Sequence, residues 1–143
     1  VFAGYRSQEY DDARFSTVSG PAAGATLYWN PTQLTTVTFR AQRSIQETTQ
    51  LNASGYFSTS GGVSVDHELR RNVILSAGFN YTNNDYQGIS REDDVTTARL
   101  GARYLLNRNL YLSGGYNYTA RDSSVAGADY DDNVVMLRLS TQL

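Results

Sequence analysis

The sequence predicts an all-β fold: an antiparallel up-and-down transmembrane β-barrel with about eight strands in this chain. Three observations predict it. Segments in which apolar and polar residues alternate recur from end to end, and helix signals are nearly absent. Short turns alternate with longer polar loops. Aromatic residues lie close to the ends of several segments, where the two membrane interfaces of a barrel would be.

Eight segments of the chain alternate in this way. In the last one, Val135, Leu137 and Leu139 fall on one face and Arg138 on the other, because successive side chains of a strand point to opposite sides. Pro21 weakens the second segment, since proline cannot donate to a ladder. The predicted strands cover residues 1–10, 15–29, 34–46, 56–69, 73–82, 95–106, 110–121 and 133–143.

The connections between these segments differ in length in a regular way. Short turns are predicted at 30–32, 70–72 and 107–109, and longer polar loops at 47–54, 83–94 and 122–132. Outer-membrane barrels combine short periplasmic turns with longer outward loops. With an even number of strands, both termini lie on the short-turn side.

Length and composition exclude several classes of protein. The 143 residues predict one domain, 1–143, which is either complete or the C-terminal portion of a longer barrel. A net charge of −2 without any lysine argues against a nucleic-acid partner. No apolar run approaches the roughly 20 residues of a spanning helix. The chain opens on Val1, without a leader, so we expect a mature form or a fragment.

Six charged residues are predicted on the face opposite the apolar one, where they would line a lumen. In a narrow, filled barrel they would pair with one another, because a buried unpaired charge is costly. In a wider, wet lumen they would bias which solutes pass, with the arginines favouring anions. The many small residues on this face favour the wider lumen, since they fill a narrow barrel poorly. The six are Arg40, Asp66, Glu68, Arg99, Arg103 and Arg138.

Two further sets of residues follow from the barrel interpretation. Aromatic girdles are predicted from Trp29 and Tyr104 at the short-turn end, and from Phe57, Tyr81 and Tyr118 toward the long loops. If the chain is an outer-membrane barrel, its closing strand is expected to carry the C-terminal assembly signal, at Leu139, Thr141 and Leu143.

Residues for catalysis or for binding a cofactor are not evident, so we expect neither an enzyme nor a cofactor. The single histidine, His67, falls on the apolar side near a short turn, where a structural role fits better than that of a base. The chain has no Gly-x-Ser-x-Gly or phosphate-loop motif. Aspartates cluster in two of the predicted loops but lack the spacing of a calcium loop, so no metal site is predicted.

The sequence resembles the C-terminal part of an outer-membrane β-barrel porin family of Gram-negative bacteria, whose members are often encoded with exopolysaccharide or capsule genes. Members of the family are longer, which implies either missing N-terminal strands or a shortened barrel. They commonly end in Phe, whereas this chain ends in Leu143. The resemblance is carried by LYWNPTQLTTVTFRAQRSIQET (27–48), VDHELRRN (65–72), NDYQGISRED (84–93), YLLNRNLYLSGGYNYTARDSS (104–124) and DNVVMLRL (132–139); residues 1–25 match weakly.

Three functions are compatible with the sequence. The first is a porin-like passive conduit in the bacterial outer membrane, which the resemblance links to exopolysaccharide export. The second is a barrel that conducts nothing and serves as an anchor. The third is a soluble β-sandwich or lipocalin-like binding module. For either barrel we expect contact with outer-membrane lipid, lipopolysaccharide and the outer-membrane assembly machinery; export components are a further expectation for the conduit.

Overall fold

A computed structural model describes residues 1–9, 17–48, 50 and 53–141. These residues form one sheet of eight antiparallel strands in which each strand pairs with its neighbours in sequence. The all-β, up-and-down prediction is therefore confirmed. The strands are β1 (Phe2–Gln8), β2 (Val18–Thr32), β3 (Thr35–Gln46), β4 (Gly55–Arg70), β5 (Val73–Gln87), β6 (Glu92–Leu105), β7 (Leu110–Ser123) and β8 (Tyr130–Thr141).

The sheet is open within the described residues. We expect the last strand of a closed antiparallel barrel to pair with the first, but β1 and β8 form no ladder with each other in this part of the chain. An eight-stranded up-and-down sheet with two free edges is still consistent with a β-barrel.

Two of the predicted loops are wrong in extent. The loop predicted at 83–94 shrinks to 88–91, and the loop predicted at 122–132 shrinks to 124–129. The polar residues at these positions continue the ladders: Asn83 pairs with Asp94, and its amide donates hydrogen bonds to that carboxylate and to Glu92. The hairpins therefore extend farther than their apolar pattern does.

The first predicted turn is also misplaced. Residues 30–32 belong to β2, and the chain turns at Gln33 and Leu34. Thr32 makes this possible, because its hydroxyl bonds the side chain of Thr35 and accepts the backbone N–H of Leu34. Pro21 lies inside β2 as the register partner of Tyr5 on β1, while β3 pairs with β2 only from Ala23 onward, so proline breaks no ladder bond to β3.

The two faces of the sheet differ in chemistry. We call the face that carries Arg40 and Arg99 the polar face, and the opposite face, with Leu100 and Leu137, the apolar face. Large side chains of the apolar face are exposed, for example Val135 at 82% and Leu137 at 75%. Buried apolar side chains are few among the described residues: Val18, Val37, Ile45 and Ala53. The sheet thus has very little core of its own.

Candidate functional site

The six charged residues predicted to line a lumen share the polar face. Arg40 is in register with Gly62 on β4. Asp66 is in register with Ser76 on β5 and, through it, with Gly101 on β6, so these residues lie on the same face of the sheet. They also place Arg103, Ser113 and Arg138 in one row across β6, β7 and β8. The register therefore gathers all six on one surface; that this surface lines a lumen stays a prediction.

None of these six charges is paired within the described part of the chain. All six are exposed, and no opposite charge lies within 4.0 Å of any of them. Their neighbours are neutral: Arg99 donates from Nε to Asn117 Oδ1 at 2.9 Å, and the Arg103 guanidinium lies 5.3 Å from the ring centre of Tyr111. Because the sheet is open over the described residues, those that would face one another across a closed barrel do not meet, and the choice between a filled and a wet interior stays a prediction.

A second polar group, which the sequence reasoning missed, lies at the long-loop end of the same face. Asp93 is fully buried, receives hydrogen bonds from Arg91 at 2.8 to 3.1 Å, and accepts the Ser123 hydroxyl at 2.5 Å. This contact joins the β5–β6 hairpin to β7. The hydrogen bonds to Asp93 raise the pKa of the Arg91 guanidinium above its usual range, so the arginine stays charged.

Tyrosine rings extend this second group. Tyr56 and Tyr86, which are direct partners across β4 and β5, stack with their centres 4.9 Å apart, and Arg91 lies 4.9 Å from the Tyr86 ring. Arg121 lies 5.0 Å from the ring of Tyr130. Sequence reasoning assigned most of this region to loops. The sequence offers no alternation signal there, because the residues from Glu92 to Thr97 are mostly polar on both faces.

The predicted girdle residues lie on the apolar face. Trp29 is in register with Leu100 on β6, and Tyr104 lies four residues farther toward the short-turn end. A shift of four residues over four strands is one residue per strand, or about 3.3 Å along the strand for each step of about 4.8 Å between strands. A level line through the two aromatics therefore corresponds to strands that tilt by about 35° from the barrel axis. Barrel strands tilt by about 35–45°. These two aromatics are therefore staggered as a level girdle on tilted strands requires.

The long-loop aromatics are staggered in the same direction but more steeply. Tyr81 lies four residues closer to the short-turn end than the β5 residue that is in register with Phe57. Tyr118 lies two residues closer to that end than the β7 residue that is in register with Tyr81. The tyrosine hydroxyls are anchored on adjacent strands, Tyr81 to Asp94 at 2.5 Å and Tyr118 to Asp131 at 3.0 Å. That these residues mark a membrane interface stays a prediction.

The remaining candidates are placed as follows. His67 is half-buried on the apolar face, with Nδ1 2.9 Å from the Thr35 hydroxyl oxygen. Leu139 and Thr141 are exposed on that face of β8, and Leu143 lies outside the described residues. No group of His, Asp or Glu side chains in the described ranges could hold a metal ion. Nor does this part of the chain form a helix of the length and apolarity that a membrane span needs.

Comparisons with known proteins give one match. No curated protein and no solved structure is similar to the chain. A family model described as "Putative beta-barrel porin 2" matches residues 1–143, including the first 25 residues, where the resemblance is weak. Such a family suggests an outer-membrane protein that is not an enzyme. Because the match covers the whole length, the chain belongs to this β-barrel porin family.

Proposed function

We propose that this protein is a passive conduit for hydrophilic solutes in the bacterial outer membrane. The observation that carries the proposal is the contrast between the two faces of the sheet. Leu27, Leu100 and Val135 leave the apolar face exposed on β2, β6 and β8, while the opposite face bears unpaired charges. A soluble protein would cover such an apolar face with another layer. A membrane barrel turns it to lipid and keeps water on the other side.

The composition of the polar face favours an open passage rather than an interior that is filled by side chains. An eight-stranded barrel is just wide enough for its own side chains to fill it. Here Gly62, Gly78 and Gly101 take positions on the polar face where filling would need bulk. Charges enclosed in such a plug would also need partners, because an unpaired buried charge costs several kcal/mol. Arg40 and Arg99 have no charged partner among the described residues.

The surroundings follow from the same proposal. The apolar face would contact outer-membrane lipid, with lipopolysaccharide in the outer leaflet. The exposed Leu139 and Thr141 of β8 would be read by the outer-membrane assembly machinery. Exopolysaccharide export, which the sequence resemblance implies, is a narrower form of the proposal. It would add export components as partners.

Conductance in a planar lipid bilayer tests the proposal. The chain is refolded into detergent, its folding is checked by heat-modifiable migration on a gel, and it is then added to the bilayer. We expect stepwise conductance. Folded protein that inserts without conducting would favour the anchoring barrel and end the conduit proposal. A chain that stays folded and soluble without detergent would favour the soluble binding module.

A further inference from the structure

Two depressions on the polar face share one wall, and that wall is Arg99. The first has a volume of about 200 Å³ and is lined by Arg40, Asn80 and Arg99 together with smaller side chains. The second has a volume of about 620 Å³ and is lined by Arg99, Asn117 and Arg138 together with apolar residues that include Val134 and Met136. Each depression is therefore lined by two arginines, and no Asp or Glu residue lines either of them.

Arg99 is held in place without being neutralised. Its Nε donates to Asn117 Oδ1 at 2.9 Å, and the Asn117 amide in turn donates to the Thr119 hydroxyl at 3.1 Å. Asn117 is the direct register partner of Arg99 on β7. An amide oxygen orients the guanidinium but leaves its positive charge unbalanced. The two terminal nitrogens have no partner among the described residues, so they can bind a solute.

Between the arginines, the polar face carries glycines, so its surface there lies close to the backbone. Gly78 lies opposite Arg99 in the β5–β6 ladder, and Gly62 lies opposite Arg40 in the β3–β4 ladder. A methyl group at Gly62 would approach Asn80 Oδ1 to 2.7 Å. A solute can thus reach the level of the backbone between two guanidiniums. Asn80 and Thr97 line the same depression and can bond hydroxyl or carbonyl groups.

We propose that Arg99, with Arg40 on one side and Arg138 on the other, forms an anion-binding site for small hydrophilic solutes that carry carboxylate or phosphate groups. Planar guanidinium donors bind both groups in a bidentate manner. Asn117 is a positioning residue for Arg99. This inference rests on the proposed conduit and names its solute class.

Isothermal titration calorimetry on the detergent-folded full chain tests the site, with citrate and inorganic phosphate as probes at low ionic strength. We expect saturable binding of one or both anions and none of glucose, the neutral control. Arg99→Gln should weaken binding by about tenfold or more, since charge-assisted hydrogen bonds are lost. Arg71→Gln in the β4–β5 turn removes the same charge outside the site and should leave the affinity unchanged.

Substitutions of Asn117 separate positioning from a structural role. Asn117→Asp keeps Arg99 but sets a carboxylate against its Nε, which neutralises the guanidinium. Asn117→Ala removes the orienting contact and leaves the charge free. We expect a larger loss of citrate binding for Asn117→Asp than for Asn117→Ala, with heat-modifiable migration retained in both. A citrate affinity that is unchanged by Asn117→Ala would overturn the positioning role.

The site and the conduit can fail separately. Wild-type protein that binds citrate but shows no bilayer conductance keeps the site and refutes the conduit. Wild-type protein that conducts, yet binds neither anion or binds them equally well after Arg99→Gln, keeps the conduit and refutes the site. Phosphate binding without citrate binding would assign the site to phosphate-bearing solutes, and the converse result to carboxylates.

Discussion

Adjacent valines on β8 allow the assignment of the two faces to be tested with one kind of substitution. Val135 lies near the middle of Tyr130–Thr141 on the apolar face and is 82% exposed; Val134 precedes it on the polar face and is 39% exposed. An arginine that faces lipid at the bilayer midplane costs about 2–4 kcal/mol. We therefore expect Val135→Arg to lower the free energy of unfolding by about that amount.

The matched variant, Val134→Arg, should cost far less. Position 134 is in register with Asn117 on β7 and, two strands away, with Arg99 on β6. At about 9.6 Å in water, the repulsion between the two guanidiniums is about 0.4 kcal/mol. Urea unfolding in detergent micelles, followed by the fluorescence of the single tryptophan, Trp29, measures both variants. Equal costs, or a larger cost for Val134→Arg, would refute the assignment of faces.

Two further matched pairs test local features. Gly62→Ala should destabilise the protein by about 1–3 kcal/mol, because the added methyl would lie 2.8 Å from a backbone oxygen of β5, whereas Gly61→Ala meets no atom within 4 Å and should change stability by less than about 0.5 kcal/mol. Urea midpoints measure both, and similar losses would contradict the packing argument. Asp93→Asn should cost about 3 kcal/mol, because it breaks the ion pair with Arg91 at a fully buried carboxylate. The exposed Asp132→Asn should be nearly neutral, and a neutral Asp93→Asn would show that the ion pair is not needed for folding.

Sequence alternation was sufficient to place most strands and to divide their faces. β7 begins at Leu110 as predicted and ends two residues beyond its predicted limit. Alternation has a period of two, so a strand assigned to the right stretch also has its side chains assigned to two distinct faces. For this reason Arg40, Arg99 and Arg138 could be grouped from the sequence alone.

The contacts at the long-loop end could not be predicted in the same way. The segment around Asn83 and Asp93 is polar on both faces, and a polar segment signals a loop when no partner strand is known. The stacking of Tyr56 on Tyr86 and the bond from Arg99 to Asn117 depend on which residues of two strands lie opposite each other. That register is set by pairing across the sheet, and a single sequence does not display it.

The stagger of Trp29 and Tyr104 has a consequence for how far the molecule stands out of the bilayer. A strand of 15 residues, such as β5, is about 50 Å long and spans about 40 Å of height at a tilt of about 35°. The lipid-facing band of a bacterial barrel is about 25 Å tall. In the barrel that we propose, the surplus of about 15 Å would form a stiff collar in water. The loops at 88–91 and 124–129, which join the ends of these strands, would be held away from the lipid by this wall of paired strands.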